Sequence, residues 1–102
     1  MKFEYDEQAN ALSIVIHEGC AVERTEEIDA GTLVDLDRRG RPIAIEVLRP
    51  SRAWPLPEIA ARFQIEESTL AMLRSLWQSN QRYPFERPDE TSAAEGGQVV
   101  IA

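Results

Sequence analysis

The chain has a single cysteine, Cys20, and a single histidine, His17, among its 102 residues. With one thiol, no intramolecular disulfide can form. A zinc site wants three or four convergent ligands, and His17 and Cys20, separated by Glu18 and Gly19, supply two. Catalysis of the Ser-His-Asp or Cys-His kind would rest on His17 alone, with Cys20 first having to become a thiolate. No glycine-rich loop has the spacing of a phosphate cradle. No apolar run approaches the roughly 20 residues that cross a bilayer. Bases are scarce as well: 11 Lys and Arg stand against 18 Asp and Glu, for a net charge of −7. Most of that imbalance lies in residues 1–50. Such a surface disfavours nucleic acid and anionic membrane, whereas a basic protein partner suits it. The start, Met-Lys-Phe-Glu-Tyr-Asp, is charged where a signal peptide would be apolar, so a cytoplasmic address is expected. No metal, no cofactor and no enzymatic reaction is expected.

What is present is alternation. Phe3 and Tyr5 alternate with Lys2, Glu4 and Asp6, the pattern of a half-buried strand. Ala11–His17 follows, with Leu12, Ile14 and Ile16 inward and with Ala11 and Val15 making the other side apolar too. Val22–Asp29 is crowded with charge, which suits an edge strand. In Gly31–Asp37, residues Thr32, Val34 and Leu36 share one face. In Arg41–Leu48, Ile43, Ile45 and Val47 do the same. Between these last two strands the loop Asp37-Arg38-Arg39-Gly40-Arg41 has glycine where a positive φ is wanted. Short connections make an antiparallel β-meander the economical topology. The acids Asp35, Asp37 and Glu46 fall opposite the apolar set, where solvent is their expected neighbour.

Prolines 50, 55 and 57 end the sheet. Pro57 and Glu58 then suit the first turn of a helix bearing Leu56, Ile59, Ala60 and Phe63. A second helix is expected over Glu67–Asn80, where Leu70, Leu73, Leu76 and Trp77 recur at helical spacing. Segment 58–73 resembles a helix-turn-helix, but Glu66 and Glu67 open the would-be recognition helix and repel phosphate. Packing of an αα-hairpin is the preferred reading, and a DNA-binding regulator is the alternative. Beyond Gln81 the chain turns extended and polar, then ends on the apolar Val99-Val100-Ile101-Ala102. Trp54, Trp77, Tyr83, Phe85, Val99 and Ile101 are the candidate partner-binding residues. For Trp54 and Trp77 the competing reading is a seal between helix and sheet.

Several of these pieces, in order, carry a resemblance. Phe3-Glu4-Tyr5-Asp6, Ala9-Asn10-Ala11-Leu12-Ser13-Ile14, Glu26-Glu27-Ile28-Asp29, Val34-Asp35-Leu36-Asp37, Gly40 and Ile45-Glu46-Val47-Leu48 resemble the domain of unknown function family numbered 2283. The resemblance covers the first half of the chain and implies a small β-meander protein of bacterial type. It implies no established activity. Some members are thought to be encoded beside small toxin-like proteins, so an antitoxin-like role is what the family suggests.

The sequence therefore predicts an α+β domain over residues 1–80: a five-stranded antiparallel meander (1–49), two helices on one face (55–80), and an extended arm over 81–102. A homodimer is expected, through an edge strand, the helix face or the arm. The expected function is a non-enzymatic protein-interaction module.

Overall fold

Period-two alternation becomes five strands: β1 (Lys2–Asp6), β2 (Ala11–Val15), β3 (Arg24–Asp29), β4 (Thr32–Leu36) and β5 (Pro42–Leu48). Two helices follow, α1 (Leu56–Arg62) and α2 (Glu67–Arg82). The structure, a computed structural model, describes residues 1–82; the arm, with Tyr83, Phe85, Val99 and Ile101, lies outside the described residues. No helix among the described residues is long and apolar enough to cross a membrane.

The five strands form one antiparallel sheet, as expected, but the order is β1-β2-β5-β4-β3 rather than the sequential order of a meander. Burial gives the reason. Sequential order would place β3, with Arg24, Glu26 and Glu27, between β2 and β4. Instead β2, which carries no charge on either face, and β5, which carries only Glu46, take the middle, and Leu12 and Ile14 pair with Val47 and Ile45. The charged β3 is left on the outer edge, where its carboxylates stay hydrated. To reach it, the chain runs from β2 across the ends of β5 and β4, the Greek-key arrangement. Ile43 O accepts the Ile16 and His17 N–H groups at 2.8 and 3.2 Å, and Leu36 O accepts Glu23 N–H at 2.8 Å.

Leu12, Ile14, Val34, Leu36, Ile45 and Val47 all bury on one face, and both helices lie against it. Pro57 and Glu58 occupy the first turn of α1, where a missing N–H costs nothing and a carboxylate meets the positive helix end. Ile59 from α1 and Leu73 from α2 complete the core. Trp54 is fully buried at the point where the chain leaves the sheet. Its indole N–H donates to Asn80 Oδ1 at 3.2 Å, and its carbonyl accepts the Trp77 indole N–H at 2.6 Å. These two bonds tie the exit segment to α2.

Candidate functional site: the open face of the sheet

With the helices on one side, the other side of the sheet is left to solvent, and strand register dictates what it displays. One row across the strands reads Lys2, Val15, Ala44, Asp35, Thr25. The next reads Glu4, Ser13, Glu46, Leu33, Glu27, and a short third row reads Asp6, Ala11, Leu48. Five carboxylates (Glu4, Asp6, Glu27, Asp35 and Glu46) thus face one ammonium, Lys2. Leu33 and Leu48, each 37 % exposed, lie among them. Thr25 donates its hydroxyl to Asp35 Oδ1 at 2.6 Å, joining β3 and β4 on this surface.

At the β1 end the face dips into a depression of about 600 Å³, walled by Glu4, Asp6, Glu7 and Glu46 and floored by Ala11 and Ser13. Glu4 and Glu46 flank Ser13 on neighbouring strands, so their stems stand roughly 10 Å apart, two strand spacings. At that separation two carboxylates repel by only roughly 0.4 kcal/mol in bulk water. A cation seated between them is attracted by both. Strand pairing rather than any local motif assembles this site, because the acids come from β1, β5, β4 and β3. The chemistry available is recognition of positive charge alongside apolar contact.

The residues singled out from the sequence scatter. His17 and Cys20 are exposed in the link between β2 and β3. Among the described residues no group of three His, Cys, Asp or Glu side chains is placed to hold a metal ion. Trp54 is the seal of the core rather than an exposed anchor, and Trp77 is half-buried beside it. The other four candidate partner-binding residues lie outside the described residues. Arg62 is committed to Glu58 and Glu26 at 3.5 and 3.3 Å, while Glu66 and Glu67 are exposed at the start of α2.

Asp37 departs from expectation. Rather than joining Asp35 and Glu46 in solvent, it is buried as the cap of its own hairpin loop. Its Oδ1 accepts the Arg39 and Arg41 N–H groups at 2.8 and 2.9 Å, and its Oδ2 accepts Arg41 Nε at 2.9 Å. The Arg41 backbone N–H, then the Arg41 guanidinium and the Arg39 N–H, hold its carboxyl below the usual 3.8, against an opposing push from burial. Gly40, at φ +79°, closes the same loop.

A second cluster has no counterpart in the sequence reading. Arg52 donates to Asp29 Oδ2 at 3.1 Å, to Thr32 Oγ1 at 2.8 Å and to Leu48 O at 3.0 Å. Its guanidinium lies over Gly31, where an added Cβ would come within 2.7 Å of it. The arginine thereby pins the segment after β5 onto the β3–β4 turn.

Comparison with curated proteins and with solved structures gives no match. Residues 2–51 match the family model described as "Protein of unknown function (DUF2283)", and this N-terminal half, the sheet that builds the acidic face, belongs to that family.

Proposed function

We propose that the chain is a non-enzymatic protein-interaction module, antitoxin-like in kind, whose partner is a basic protein segment laid on the open face of the sheet. The observation that carries this reading is the composition of that face, five carboxylates to one ammonium around the exposed Leu33 and Leu48. Opposed charge of this sort steers encounter and fixes orientation, while the leucines supply area that water gives up on docking. A cytoplasmic, toxin-like protein with a functional basic surface would be neutralised simply by being covered. The helix pair offers less to DNA: Arg62 is already paired and two glutamates lead α2.

The test is calorimetric titration with an arginine- and lysine-rich peptide carrying two leucines. Binding is expected to weaken steeply with salt. It should be lost in a Glu4→Lys, Glu46→Lys double variant and kept when Glu66 and Glu67 on α2 are changed to glutamine. Equal loss from both pairs would mean general acidity and not this face, and would sink the reading.

A further inference from the structure

We propose that β1 is a self-association edge, where two copies of this chain join their sheets antiparallel about a twofold axis at Glu4. The two outer strands differ in how well they are protected. On β3 the register slips between Glu27 and Asp29, and Arg24, Glu26 and Glu27 put charge on both of its sides. A bulge and charges of that sort blunt an edge. β1 pairs with β2 over all five of its residues without a slip, and no other strand among the described residues lies on its outer side.

The sequence of β1 complements itself when reversed. An antiparallel copy centred on Glu4 sets Lys2 against Asp6 of the second copy, and Phe3 against Tyr5 of the second copy, each pair occurring twice. Opposite charges and aromatic pairs directly across two strands are the favourable combinations. The ion pairs fall on the open side of the sheet and the aromatic pairs on the helix side. Glu4 meeting Glu4 is the one repulsive pair.

The helix side supports the same occupant. Between Phe3 and α2 runs a shallow groove of about 480 Å³, lined by Ala71, Met72, Ser75, Leu76 and Ser79, with no ionisable side chain. Met72 is 50 % exposed there. A twofold axis normal to the sheet keeps both helix layers on one side, so each groove looks toward its equivalent. The open face would repel its own copy, whereas at this edge two Lys2–Asp6 pairs offset the single Glu4 repulsion and the groove carries no charge. The contact is independent of the basic-partner reading and is measured with no peptide present.

Sedimentation equilibrium of the full chain, from micromolar to several hundred micromolar, reads the association directly. The unaltered chain is expected to dimerise. Lys2→Glu should weaken the dimer about tenfold, the loss of two cross-strand ion pairs. Glu4→Gln should tighten it, because the repulsive pair disappears. Met72→Arg should weaken it through the groove, with the thermal melt of each variant confirming that the fold is kept. Tagged Glu4→Lys protein mixed with the unaltered chain should form mixed dimers above the statistical share. A monomer across the whole range, a dimer indifferent to Lys2→Glu and Glu4→Gln, or purely statistical mixing would each overturn the proposal.

Discussion

Asp37 shows how much one residue can do that its neighbours on paper do not. It shares an alternating strand with Asp35, yet the chain reverses just beyond it, and the three N–H donors of that reversal converge on its carboxylate. The signal was legible, since Asp three residues before Gly is the mark of an Asx-capped turn. Reading the strand by parity alone placed Asp37 with the wet acids. The carboxyl is held below its usual value, so its contribution to stability is fully present above the ordinary aspartate range and drains away as pH falls through the lowered folded value. An Asp37→Asn variant should therefore be less stable than the unaltered chain at neutral pH, by a margin that narrows below about pH 4. Urea melts across the acid range check this, and a margin independent of pH would be the contrary result. Gly31 and Arg52 were not legible in the same way. The close approach at Gly31 is made by a guanidinium twenty-one positions along the chain, and only the folded path brings the two together.

Among the elements, strand existence was plain and strand order was not. Alternation places Phe3, Leu12, Val34 and Ile45 on one side regardless of neighbours, because the side-chain period is a property of each strand alone. Order depends instead on which strands can sit between two neighbours and which carry the charge that suits an edge. The apolar back of β2, with Ala11 and Val15, was the clue that it is central, and the charges of β3 the clue that it is not. The tryptophans follow a similar logic. Trp54 precedes a helix by only two residues and could have been an anchor for a partner; the bond from its indole to Asn80 commits it inward. Asn80 is itself fully buried, and among the described residues its Nδ2 has no hydrogen-bond partner. Removing either member alone strands or empties a polar position, for a cost of about 1–3 kcal/mol. Trp54→Phe combined with Asn80→Leu should cost less than the two single changes added together, because both polar groups leave at once. Thermal unfolding of the four proteins provides the cycle, and strict additivity would show that the indole–amide bond contributes nothing.

For the whole molecule, the distribution of charge matters more than its sum. The net −7 is not spread evenly, and folding gathers Glu4, Glu46 and Glu27 into a single row across the five strands. A sheet face kept only for solubility would gain by mixing signs, since neighbouring like charges oppose the compact state. The row has serine and leucine at its intervening positions where lysine would fit. Exposed carboxylates at two strand spacings cost little each, roughly 0.4 kcal/mol per pair in water, but the cost recurs along the row. Glu27→Gln combined with Glu46→Gln should therefore raise the melting temperature by about 2–4 °C at low ionic strength. The gain should vanish near molar salt, where the screening length falls to about 3 Å. The same variant should bind the basic peptide less tightly. Calorimetry with and without salt reads both quantities on one sample. A gain in stability with binding intact would separate the acidity of the face from its use, and a loss of both would mean that the carboxylates hold the sheet together rather than await a partner.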